Sequence, residues 1–138
     1  MPHETEITVD WGDTDAGGLI YYPRFFHFVI VGLNDYFRPA ADGEHPMEVY
    51  RKAGYLLPAV DASASFYSPL RAGDVATLET TVVDVGTSSL SVSFEITRPS
   101  NDERVADGEV SFVFVDDAFE ATPLPDAFLD CVRERGDA

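Results

Sequence analysis

The segment Trp11-Gly12-Asp13-Thr14-Asp15-Ala16-Gly17-Gly18-Leu19-Ile20-Tyr21-Tyr22-Pro23 concentrates the residue types that chemistry needs. Two carboxylates stand two residues apart, a glycine pair follows, and Pro23 suits the first turn of a helix. The N–H groups that open a helix have no acceptor within it, so they form a natural anion or oxyanion site. A carboxylate beside aimed N–H donors meets the needs of acyl transfer. The carboxylate activates water or attacks a carbonyl, and the donors stabilise the oxyanion.

Three other readings of these residues stay open. An Asp-x-Asp pair can hold Mg²⁺ for phosphoryl chemistry, although such pairs usually follow an apolar strand and here Trp11-Gly12 precedes it. Asp13, Asp15 and Gly18 begin like a calcium loop, but the fifth position is Gly17 and the twelfth is Arg24, where a bidentate Glu is needed. The third reading is a capped turn in which an Asp bonds nearby backbone N–H groups. Elsewhere the chemistry thins out. His3 is terminal, His45 sits beside Pro46 and His27 falls inside the helix, with no metal-ligand spacing to one another or to Cys131, so no metal site is expected. Neither a glycine-rich phosphate loop nor a Gly-x-Ser-x-Gly elbow is present.

The elements that must position this loop can be read from periodicity. Residues 3 to 11 alternate polar and apolar over Ile7, Val9 and Trp11, which predicts a half-buried strand ending at Gly12. From Tyr22 the spacing becomes helical, with Tyr22, Phe25, Phe26, Val29, Leu33, Tyr36 and Phe37 on one face. Phe28, Ile30 and Val31 make the other side apolar as well, so the helix should be buried and something must wrap it. A short helix is expected over Met47 to Ala53. After Gly54 the pattern turns to β: one or two strands over Tyr55 to Tyr67, a turn over Ser68 to Asp74, then Val75 to Val85. Ser89 to Thr97 alternates Leu90, Val92, Phe94 and Ile96 against Ser91, Ser93, Glu95 and Thr97, so the sheet has one wet face and one dry one. Arg104 to Val115 reads as the last strand, and Asp126 to Arg133 as a short helix. The order predicts an α+β fold, an antiparallel sheet wrapped around a long central helix, as a single domain over residues 1–138.

Composition narrows the function classes. The chain of 138 residues has 9 basic and 25 acidic side chains, a net charge of −16. Nucleic acid and anionic membranes are therefore poor partners. With 45% hydrophobic residues the chain can fold, unlike the usual acidic disordered segment. The acids are spread along its length and Lys52 is the only lysine, a pattern that suggests adaptation to high salt. Cys131 is alone, so no internal disulfide is possible, and the N-terminus lacks a signal-peptide layout, which points to the cytoplasm. The most apolar run, Leu19 to Leu33, is shorter than the roughly 20 residues a membrane span needs.

Taken with Pro69-Leu70-Arg71-Ala72-Gly73-Asp74 before a long strand, and Ala106-Asp107-Gly108 leading into Phe112-Val113-Phe114-Val115-Asp116, the Gly12 to Pro23 segment resembles the hotdog-fold acyl-CoA thioesterases of the 4-hydroxybenzoyl-CoA thioesterase type. The resemblance implies hydrolysis of a thioester to a free acid and CoA, with CoA as part of the substrate and no cofactor. It places Asp15 as general base or nucleophile, Asp13 as a structural residue of the loop, and the backbone N–H of Tyr22 as the donor that polarises the thioester carbonyl. Gly18, Tyr21 and Phe25 would contact substrate, with Phe26, Tyr55 and Phe66 as further acyl-pocket candidates. Arg71 first, and Arg98 second, would hold the CoA phosphates. Some relatives carry His at the position of Tyr22 and Tyr at that of Trp11, and another branch has an acid where this chain has Val29, Ile30 and Val31. The family also implies a homodimer formed by sheet extension, with the site between protomers, and a homotetramer from two such dimers. The alternative is a non-catalytic acyl-CoA-binding module on the same fold.

Overall fold

The computed structural model describes residues 2–137. Strand β1 (His3–Thr8) is followed by a single 3-10 turn (Trp11–Asp13), helix α1 (Arg24–Tyr36), a second 3-10 turn (Arg38–Ala41) and helix α2 (Pro46–Lys52). Then come β2 (Tyr55–Leu56), β3 (Ala59–Phe66), β4 (Val75–Val85), β5 (Ser89–Thr97), β6 (Arg104–Val113), β7 (Val115–Asp116) and helix α3 (Asp126–Glu134). Five strands form one antiparallel sheet in the order β1-β4-β5-β6-β3, and β2 pairs with β7. The α+β class and the antiparallel sheet agree with the alternation in the sequence.

Side-chain period explains the sheet. On β5, Leu90, Val92, Phe94 and Ile96 are buried, and the serines and Glu95 between them face outward. β4 does the same through Ala76, Leu78, Thr80 and Val82. Across the wet face, Glu4, Glu79, Glu95 and Asp107 are aligned in register on four adjacent strands. Gly108 has a steric reason for being glycine. A methyl group there would overlap the Ser63 carbonyl oxygen and press on Phe94, so only glycine lets β3 approach β6 this closely.

Helix α1 crosses the dry face against β1 and β4, burying Phe25, Phe28, Val29, Gly32, Leu33 and Tyr36. That set follows the i, i+3, i+4, i+7 stripe of a helix with one core-facing side. The expectation of a helix buried all round needs correcting: Ile30 and Val31 are exposed in the protomer, because the sheet covers only one side. The helix has 13 residues and begins at Arg24, after Pro23 at its N-cap. Gly32 is the close-approach point, since a Cβ there would sit 2.5 Å from Thr80 Oγ1 and 2.6 Å from Leu78 Cδ2.

Two strand boundaries also differ. Trp11 does not extend β1, because Asp13 draws the chain into the 3-10 turn by accepting the Asp10 N–H at 2.9 Å, and Trp11 is 86% exposed. Arg104 to Val115 breaks at Phe114, whereas Tyr55 to Tyr67 takes the two-strand form of the two expected. No helix among the described residues is long and apolar enough to cross a membrane.

Candidate active site

The candidate loop is a narrow ribbon between β1 and α1. Its arms are tied by Tyr21 N–H donating to the Asp13 carbonyl at 2.9 Å and by Asp15 N–H donating to the Leu19 carbonyl at 2.9 Å, with a β-bridge between Thr14 and Ile20. At the tip, Gly18 N–H donates to the Asp15 carbonyl at 3.0 Å, and Gly18 adopts φ +79°, which a side-chain-bearing residue reaches only with strain. The Pro69 to Asp74 turn docks behind the ribbon. Ile20 N–H donates to the carbonyl of the fully buried Leu70 at 2.8 Å, and Gly73 N–H donates to the Val9 carbonyl at 2.8 Å.

The two carboxylates have different surroundings. Asp13 is buried at the base of the ribbon. Its Oδ1 accepts from Arg24 Nε at 2.9 Å and Nη2 at 2.6 Å, and its Oδ2 accepts the Asp10 N–H. Burial by itself would push this carboxyl up, but the Asp10 N–H, the Arg24 guanidinium and, more weakly, His27 outweigh it and hold the group below the usual carboxylate range. Asp15 is exposed at the tip. Its Oδ1 accepts the Gly17 N–H at 2.9 Å, and its Oδ2 has no hydrogen-bond partner among the described residues. One carboxylate is therefore spent on structure and the other keeps an open oxygen.

Tyr22 follows the ribbon immediately. Its N–H makes no hydrogen bond among the described residues, whereas the N–H groups of Arg24, Phe25 and Phe26 fold back onto the carbonyls of Tyr21, Tyr22 and Pro23. Pro23 has no N–H to compete, so an unengaged donor stands at the helix start. No hydrogen bond joins it to Asp15.

Two hollows flank the ribbon. Trp11, Gly12, Thr14, Asp15 and Ala16 line one of about 370 Å³. The other, about 460 Å³, is lined by Leu19, Ile20, Tyr22, Phe25, Phe66, Tyr67, Ser68 and Pro69. In the second hollow Phe25 and Phe66 meet at 4.9 Å between ring centres, and Tyr22 and Phe66 at 6.4 Å. Tyr21 touches the Tyr22 ring at 5.6 Å, and Gly18 sits in the tip turn. The structure does not bring Tyr55 to this place. Tyr55 stacks on Phe114 in a separate small hollow beside α2. Phe26 packs toward Phe94. Tyr67, Leu19 and Ile20 were missed from the sequence; for Tyr67 the available signal was its place beside Phe66 at a strand end.

The two arginines differ as well. Arg71 is exposed and its side chain enters no ion pair or hydrogen bond among the described residues, although its backbone N–H donates to Asp74 Oδ2. Arg98 is engaged by Asp74 at 3.3 Å, by Glu103 at 3.5 Å, by Ser68 Oγ and by the Pro69 carbonyl. No group of three or more His, Cys, Asp or Glu side chains that could hold a metal ion occurs among the described residues.

No curated protein matches the chain in sequence. Among solved structures it is similar to a 1,4-dihydroxy-2-naphthoyl-CoA thioesterase from Synechocystis, with 18% identity, TM-score 0.85 and 100% of both chains covered. A gentisyl-coenzyme A thioesterase gives 19% identity and TM-score 0.82 over 94% of this chain and 99% of that one. A Staphylococcus aureus protein solved in complex with CoA gives 16% identity and TM-score 0.80 over 97% of this chain and 83% of that one. At such identities the likeness establishes the fold. Residues 9–132 match the family model of the Thioesterase-like superfamily, so the chain belongs to that superfamily, and the thioester-hydrolase class expected from the sequence is that of its family.

Proposed function

We propose that the protein is an acyl-CoA thioesterase that hydrolyses its substrate to a free acid and CoA. The observation that carries this reading is that one short segment holds both an open carboxylate oxygen, on Asp15 at the ribbon tip, and an unengaged amide, on Tyr22 where the ribbon meets the helix beside an aromatic hollow. The Tyr22 amide and the helix start behind it polarise the thioester carbonyl and hold the oxyanion. As general base, Asp15 takes a proton from water while the water oxygen bonds to the carbonyl carbon. Collapse then breaks the C–S bond and the proton passes to the departing thiolate. As nucleophile, the Asp15 carboxylate bonds to the carbonyl carbon and expels CoA thiolate, leaving an acyl anhydride; water then opens it to the free acid, regenerating the Asp15 carboxylate and supplying the proton that the thiolate takes up. Both routes need the same residue and the same amide.

The acyl group enters the hollow of Phe25, Phe66, Tyr22 and Tyr67, whose flat walls suit an aryl acyl group of the 4-hydroxybenzoyl kind. Arg71, whose guanidinium has no ion-pair partner among the described residues, is the first candidate for the CoA phosphates. Arg98 is the second, and it would have to release or share its carboxylates. A second copy completes the site by pairing along the edge strand β3, where Val60 and Phe66 are exposed together with the adjoining Tyr67 and the Tyr22 ring that meets Phe66. Two such dimers make a tetramer. CoA is substrate and no cofactor is needed, neither nucleic acid nor a membrane is a partner, and the working environment is a cytoplasm of high salt.

The test is thiol release from acetyl-CoA, palmitoyl-CoA and 4-hydroxybenzoyl-CoA at high salt, by the native chain and by Asp15→Asn. Loss of about two orders of magnitude or more in kcat, with the fold intact, is expected. Native-rate turnover by Asp15→Asn overturns the assignment, and binding of acyl-CoA without turnover by the native chain identifies a binding module instead.

A further inference from the structure

Arg24 occupies a position that helix electrostatics disfavours. It is the first residue of α1, where a positive charge opposes the helix dipole, and α1 has no acidic residue in its first turn. Its guanidinium reaches back eleven residues to place both Nε and Nη2 on Asp13 Oδ1. Four of the other ion pairs join residues three apart on the surface, whereas this one ties the base of the ribbon to the helix.

Asp13 thereby grips both sides of the Tyr22 amide. Its carbonyl holds the Tyr21 N–H, and its carboxylate holds Arg24. An uncompensated carboxylate at this place would do two kinds of harm. It would oppose negative charge growing on the substrate oxygen at Tyr22, and it would raise the proton affinity of Asp15 two residues away. The charged or titratable groups that bear on Asp13 are Arg24 and His27, both from α1, with Asp10 contributing its backbone N–H from the preceding turn.

We propose that Arg24 is a positioning residue for thioester hydrolysis, fixing the ribbon on the helix start and neutralising the Asp13 carboxylate at the ribbon's base. This rests on the assignment of Asp15 and the Tyr22 amide above. Arg24 touches neither the thioester nor the attacking water in this account. It acts through Asp13.

The experiment follows kcat and KM against pH for Arg24→Gln, Arg24→Lys and the double variant Asp13→Asn/Arg24→Gln, on the acyl-CoA of the panel that the native chain hydrolyses fastest. Arg24→Gln should lower kcat about tenfold with little change in KM and, at low salt where the charge is unscreened, move the acidic limb of the kcat profile upward by a few tenths of a pH unit. Arg24→Lys keeps the charge and should leave the limb in place. The double variant removes both charges and should return the limb to its native position. A native kcat and limb in Arg24→Gln overturn the proposal. So does a lower melting temperature with a limb that does not move, which marks a purely structural pair. If Arg24→Gln does not fold, Arg24→Lys decides, and an upward-shifted limb in it counts against the proposal. Native turnover by Asp15→Asn is a separate result: it removes the base itself, whatever Arg24→Gln does.

Discussion

The tip and the base of the 13–21 ribbon carry the same functional group in opposite settings. At the base, Asp13 is buried and both its oxygens are taken by Arg24 and the Asp10 N–H. At the tip, Asp15 faces solvent with one oxygen open. The base holds its carboxylate ionised and immobile, which is what a frame requires. The tip leaves a carboxylate oxygen open, which is what the proposed hydrolysis requires. Residue type therefore does not assign a role here; the number of donors already satisfied does.

Changes at the base and in the frame should appear first as lost stability. The largest is expected for Asp13→Ala, which strands the Asp10 N–H and Arg24. Because Arg24 is partly exposed and can turn to water, the cost should be about 1–3 kcal/mol in denaturant unfolding, less than for a fully buried pair. Next is Gly108→Ala, where the added methyl forces β3 away from β6. A loss of about 1–2 kcal/mol is expected, together with weaker association of the proposed dimer by sedimentation. An unchanged melting temperature for either variant would erase the assigned difference between frame and tip.

Acid should cost stability through the base, whose carboxyl is held ionised to lower pH than an ordinary carboxylate. A carboxyl held below its unfolded value contributes stability that is present above that value, near pH 4, and is lost as pH falls through the folded value. Asp13, Asp35 and Asp74 all behave this way. Thermal melts should thus fall steeply below about pH 4, and Asp13→Asn should flatten part of that fall. The smallest effect belongs to the wet face. Burial, then Glu95 and Glu4, push Glu79 above the usual glutamate range, so its ionisation opposes folding at neutral pH. Glu79→Gln should raise the melting temperature slightly at low salt and hardly at all at high salt, where the repulsion is already screened.

Much of the frame was legible because period-2 and period-3.6 burial are local signals. The alternation of Ser89 to Thr97 matches β5, and Phe25, Val29 and Leu33 lie where the helical spacing puts them. The Pro69 to Asp74 motif marks a turn whose job, holding Ile20 through Leu70, only the fold reveals. What escaped was set by distant partners. Trp11 continued the β1 alternation on paper, yet Asp13 turns the chain away. Arg98 looked available until Asp74 and Glu103 surrounded it. Nothing in the spacing pairs Arg24 with Asp13 across eleven residues. β3 alternates Val60, Ala62, Ala64 and Phe66 against Asp61, Ser63 and Ser65, yet nearly all of it is exposed in the protomer, so its pattern marks a strand without showing what covers it.

The central claim is that the tip does chemistry and the base holds structure. Its most direct test measures thiol release and the unfolding midpoint on the same preparations of native protein, Asp15→Asn and Asp13→Asn. Asp15→Asn should lose about two orders of magnitude or more in kcat at a native midpoint, while Asp13→Asn should lower the midpoint. Native-rate hydrolysis by Asp15→Asn, or a native midpoint in Asp13→Asn, would contradict it.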